Sequence, residues 1–178
     1  MLQISINENR LWDEKKEQFV EIKPAVLKLE HSLISLSKWE SKWKKSFISS
    51  EKTTDEMLDY IRCMSITPVE PEIFYALTKD DIEKIVAYID DPMTATTINH
   101  KNGSSKREIV TAEIIYYWMI ALNIPIEFQK WHLNKLITLI EVCNEKNQPP
   151  KKMSKSEILN QHRAVNAMRR KQHSVPHV

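Results

Sequence analysis

The chain has 178 residues and a mass of 21.0 kDa, enough for one domain or a domain with an appendage and for a real hydrophobic core. It holds a single glycine, Gly103, where average usage would give about a dozen. Phosphate-cradling loops, dinucleotide-binding turns and nucleophile elbows need glycines where the backbone takes positive φ or closely approaches a ligand, so none can be assembled here. The net charge of +2 conceals an asymmetry: residues 151–178 carry seven Lys or Arg against the single acid Glu157, leaving nineteen bases against twenty-three acids, or −4, in the first 150. The composition points to a soluble, mainly helical, non-catalytic chain with an acidic body and a basic tail.

Leu2-Gln3-Ile4-Ser5-Ile6 alternates apolar and polar, and Val26-Leu27-Lys28-Leu29-Glu30 does so in part. Between them Trp12, Phe19, Val20 and Ile22 flank the charged run Asp13–Glu17, which suits a hairpin tip. This predicts a small antiparallel β element over 1–36. From Ser37 the period changes: Trp39, Trp43 and Phe47 at four-residue spacing predict a short helix with Lys42, Lys44 and Lys45 on its other side.

Thr53 with Glu56 forms a capping box for a helix carrying Met57, Ile61 and Met64 that ends before Pro68. Pro71 fits the first turn of a short helix through Leu77. Thr78 with Asp81 starts another, whose stripe Ile82, Ile85, Val86 and Ile89 ends at Asp91-Pro92. Residues 93–105 lack periodicity, contain Gly103, and are expected to form a loop. Ser105 with Glu108 predicts a helix to about Leu122, apolar on nearly every side and therefore placed in the core. Asn123-Ile124-Pro125 joins it to a helix with Phe128, Trp131, Leu133, Leu136, Ile137 and Ile140, an expected αα-hairpin. The helical body is thus expected over 37–147.

Pro149-Pro150 opens a stiff spacer, and Ser154 with Glu157 caps a last helix, so 148–178 reads as a basic amphipathic arm. Ile158, His162, Val165 and Met168 lie on one stripe, followed by Arg169, Arg170 and Lys171; these seven are the candidate partner-binding residues, the cations steering an acidic partner. The arm has no aromatics among its cations for base stacking, and the acidic body would repel a duplex, so nucleic acid is the weaker alternative to a protein partner.

The remaining candidates read as structural. Cys63 and Cys143 lie in apolar stretches with no second cysteine nearby and are expected as reduced core residues. His31 and His132 have no histidine or acid at metal-binding spacing and are expected as ordinary hydrogen-bonded residues at the surface or the core edge. His162, His173 and His177 are too irregularly spaced for zinc. Asp80-Asp81 complements a helix start and Asp90-Asp91-Pro92 is turn chemistry, against a magnesium reading. No catalytic residue, cofactor or metal site is assigned. Neither a signal peptide nor a run of 18 or more apolar residues is present, so no membrane span is expected.

The segments LEHSLISLSKWESKW, EMLDYIRCM, DDPMTAT, EIIYYWMIALNIPIEFQKWHLNKLITLI and NQPPKKMSKSEI together resemble a family of small proteins encoded in the structural gene clusters of tailed bacteriophages. The resemblance spans residues 27 to about 170. Members of such families are assigned as tail assembly chaperones, which hold the tape measure protein while the tail tube polymerises around it. The resemblance therefore implies a non-catalytic protein of the host cytoplasm without cofactors, whose partners are the tape measure protein or other tail proteins, with homo-oligomerisation possible in such a role. Two alternatives carry different expectations: a permanent virion component of the tail or head-tail connector, and a nucleic-acid-binding regulator acting through the basic tail.

Overall fold

The computed structural model describes residues 1–13, 17–97, 109–147 and 155–173, the side chains of Asp13, Lys155 and residues 171–173 excepted. Gly103, most of the expected 93–105 loop, the Ser105–Glu108 helix start, Pro149-Pro150, Ser154 and His177 lie outside the described residues. The fold is α+β, with four short N-terminal strands followed by helices. Residues 1–146 form one compact unit and residues 147–178 another.

In the first unit β1 (Leu2–Ile6) pairs antiparallel with β4 (Ala25–Leu29), and β2 (Asn9–Asp13) pairs antiparallel with β3 (Gln18–Ile22). The chain runs out and back as one interrupted hairpin. Pairing lapses across 7–8 and 23–24, where Pro24 has no N–H to give to a ladder. The Asp13↔Gln18 pair is the last of the inner ladder, and residues 14–16 of the charged run expected at the tip lie outside the described residues. Period-two alternation also sends Ile4, Ile6, Leu27 and Leu29 into the core while Gln3, Ser5 and Lys28 face out.

Helix α1 (Leu33–Trp43) starts four residues before the expected Ser37, inside the span assigned to the β element. The reason is a local cap: the Ser32 hydroxyl accepts the Ser35 N–H at 3.3 Å, and Leu33 and Leu36 extend the apolar stripe back from Trp39. The helix also stops early. Lys44 takes a left-handed conformation at φ 55°, so Phe47 reaches the core from the following loop and not from the helix. Trp39 and Trp43 do share a helical face, with ring centroids 6.2 Å apart.

Helix α2 (Thr54–Met64) has the expected capping box of Thr53 and Glu56, and α3 (Lys79–Asp90) that of Thr78 and Asp81. A 3₁₀ helix, Pro71–Ala76, lies between them with its proline in the first turn. On α3 the buried stripe runs through Ile85 and Tyr88, whereas Val86, expected on it, is exposed. Asp91 Oδ1 accepts the Met93 N–H at 2.7 Å, the turn chemistry read at Asp91-Pro92.

Helix α4 (Ala112–Ala121) differs most from expectation: it begins at Ala112, and it is not central. Ala112, Ile115 and Met119 are buried, while Tyr117 and Ile120 on the opposite side are 66% and 74% exposed. The exposed Glu113, one turn before Tyr117 and two before Ile120, marks the outward side, a single polar residue in an otherwise apolar stretch. The expected next helix is also broken. Residues 126–130 form a 3₁₀ helix, Trp131 is extended, and α5 (Leu133–Asn147) starts afresh, because His132 makes a bridge to Ser32 and the Leu133 N–H donates to the His31 carbonyl at 2.7 Å. That non-local pairing pulls the chain out of the helix and replaces the expected αα-hairpin.

One core joins strands and helices. Trp39 and Tyr60 are wholly buried, Phe47 stacks on Tyr60 at 3.8 Å, and the Trp39 indole donates to the Glu56 carbonyl at 2.8 Å. Glu40, also buried, receives the Phe47 N–H on one carboxylate oxygen (2.8 Å) and the Ala112 N–H on the other (2.7 Å). It thus supplies the negative charge that the first turn of α4 favours, where Thr111 contributes no side-chain cap.

Candidate functional site

Helix α6 (Lys155–His173) is the element on which the candidate partner-binding residues fall. A helix turn of 3.6 residues brings Ile158, His162, Val165 and Met168 to one side, and Arg169 and Arg170 occupy the final turns, where cations complement the helix dipole. Every described side chain from Ser156 to Arg170 is exposed, Met168 by 69%. Lys171 lies on the same helix, with its side chain outside the described residues. The stripe is wider than the sequence reading allowed: Leu159, 56% exposed, adjoins His162 at three-residue spacing. Its signal was present, since residue 162 neighbours both 158 (i, i+4) and 159 (i, i+3) on a helix surface.

A second apolar surface lies on the β2–β3 hairpin, where the cross-strand pair Trp12 and Phe19 is exposed with ring centroids 5.0 Å apart. Two residues along on the same face, Arg10 and Glu21 form an exposed ion pair at 2.6 Å. The outward side of α4, with Tyr117 and Ile120, is a third. All three present large apolar side chains to solvent, a feature of surfaces that meet a partner.

Titratable groups are gathered instead in the interior. His31 and His132 are 3% and 6% exposed, well inside the core and not at its edge, and their rings meet edge to face at 5.0 Å. His31 Nδ1 lies 2.6 Å from the Tyr60 hydroxyl; His132 Nε2 donates to the Tyr88 carbonyl at 2.9 Å. Burial, with the neighbouring His132 as a smaller contribution, pushes the His31 pKa down to about 3. Tyr60 is raised well above its ordinary value by burial. Tyr88 is raised too, by burial and by donating to Glu30 Oε1 at 2.6 Å, the carboxylate that also meets the N-terminal amine. Among the described residues no three metal-ligating side chains converge.

On α2 Asp59 accepts from Lys42 Nζ at 2.5 Å and from the Trp43 indole at 2.9 Å. Burial pushes its pKa up, but these two hydrogen bonds and the Lys42 charge outweigh it and hold the carboxyl below its ordinary value. Cys63, half-buried with its thiol raised by burial, has the character of an inert core cysteine. No helix among the described residues is long and apolar enough to cross a membrane. Comparison with protein families, with curated proteins and with solved structures finds no match to this chain.

Proposed function

We propose that the chain is a tail assembly chaperone of a tailed bacteriophage, a non-catalytic protein of the host cytoplasm that binds the tape measure protein and keeps it soluble while the tail is built. The observation that carries this reading is α6: a 19-residue helix with an apolar stripe, basic final turns and no described side chain covered. A tape measure protein is a long helical chain with exposed apolar stripes, and an amphipathic helix is suited to lie along such a stripe. Ile158, Leu159, Val165 and Met168 supply the apolar contact, and Arg169 and Arg170 draw in acidic segments. Holding an unassembled client in solution needs only binding to that form, which shifts its solubility by mass action without a nucleotide.

Co-expression with the tape measure protein of the same gene cluster tests the reading. The full chain keeps the client soluble and co-purifies with it, a chain lacking 151–178 does neither, and purified mature particles contain no copies. An insoluble client with no co-purification refutes the proposal, and copies retained in mature particles favour a permanent tail or connector component.

A further inference from the structure

The paired histidines take no part in the contact surfaces, yet they occupy the junction where most of the first unit meets. His31 lies between β4 and α1, and His132 immediately precedes α5. The Ser32↔His132 bridge and the Leu133 N–H bond to the His31 carbonyl fasten those segments, while Tyr60 and Tyr88 close the box from α2 and α3. A carbonyl can only accept, so His132 Nε2 carries the ring proton and Nδ1 is a bare lone pair. That Nδ1 is buried without a partner.

Charge arriving on either ring finds no carboxylate bonded to it. The titratable groups around the pair are Glu30 just after β4, engaged by Tyr88 and the N-terminal amine; Glu40 on α1, engaged by two backbone amides; Tyr60 and Cys63 on α2; Tyr88 on α3; and Asp91 just beyond its end.

We propose that the packed His31–His132 pair forms an acid-sensitive latch, in which protonation of His31 separates the start of α5 from the β4–α1 junction before the rest of the first unit unfolds. The sign follows from linkage. The opened state binds protons at the ordinary histidine value of about 6.5, whereas the closed state holds His31 far below it, so latch stability is full above that value and declines as pH falls toward about 3. Between pH 7 and pH 5 His31 alone raises the open-to-closed ratio about 25-fold. This window lies above the range in which the Asp59 carboxylate, held below its ordinary value, releases Lys42.

Hydrogen exchange on the full chain, corrected for the intrinsic pH dependence of exchange, tests the latch. Amides of 131–136 lose about 25-fold of their protection between pH 7 and pH 5, while those at the centre of α2 change little. In the double variant His31→Asn, His132→Gln the new amides can meet the Tyr60 hydroxyl and the Tyr88 carbonyl, but neither titrates, and the acid-dependent loss disappears. Undiminished protection at pH 5, or an equal loss in the double variant, overturns the proposal. If the variant does not fold at pH 7, ring-proton NMR of the wild-type chain decides: native-state titration of His31 near 6.5 overturns it, and growth of a separate open-state signal without native titration supports it.

Discussion

Helices α1 and α6 are both amphipathic and both carry lysine or arginine on their polar side, yet Leu33, Leu36 and Trp39 of α1 are wholly buried whereas every described side chain from Ser156 to Arg170 is exposed. With 11 residues, α1 is shorter than the roughly 12–15 at which isolated helices become even marginal, so its order comes from the core it covers. α6, with 19, is long enough to draw on local propensity, and its apolar stripe is exposed. One helix spends its apolar face on the fold, and the other leaves it exposed.

The contrast can be broken most forcefully at Trp39. Trp39→Ala removes a fully buried ring and its hydrogen bond to the Glu56 carbonyl, and is expected to lower unfolding free energy by about 3–5 kcal/mol in urea denaturation. A smaller loss, about 3 kcal/mol, is expected for Glu40→Ala, which leaves the amides of Phe47 and Ala112 buried without an acceptor. The opposite result is expected in the arm. Ala164→Pro breaks α6 at its middle, but all five tryptophans, Trp12, Trp39, Trp43, Trp118 and Trp131, belong to the first unit, so the fluorescence-detected transition should not move. A shift comparable to that of Glu40→Ala would show that the arm is structurally required by the body, and the contrast between α1 and α6 would fall.

Much of this architecture is legible where its cause is local. The boxes Thr53–Glu56 and Thr78–Asp81 close within four residues, and the alternation of β1 and β4 needs only the pleat. The candidate stripe of α6 is legible for the same reason, since its spacing is its cause. Elsewhere the cause is remote. Phe47 enters the core because Lys44 turns left-handed and Glu40 holds the next segment, while α5 starts at Leu133 because Ser32 and His31 pair with it. The histidine pair belongs to the same class: neither residue has a local partner, and only the strand-like crossing of 31–32 with 132–133 brings the rings together. The outward side of α4 carried only one local sign, the acid Glu113 in line with Tyr117 and Ile120, and the apolar residues around it outweighed that sign.

Glu40 also has a bearing on the order in which structure can form. The residue that caps α4 lies 72 positions before Ala112, and α4 itself is only ten residues long. A helix of that length is marginal alone, and closing so long a loop carries an entropic cost that grows slowly with length but must be met before the carboxylate can accept its amide. Secure formation of α4 is therefore tied to the prior placement of α1, which couples a local helix to a non-local contact and places this step among the slower ones in the folding of the body.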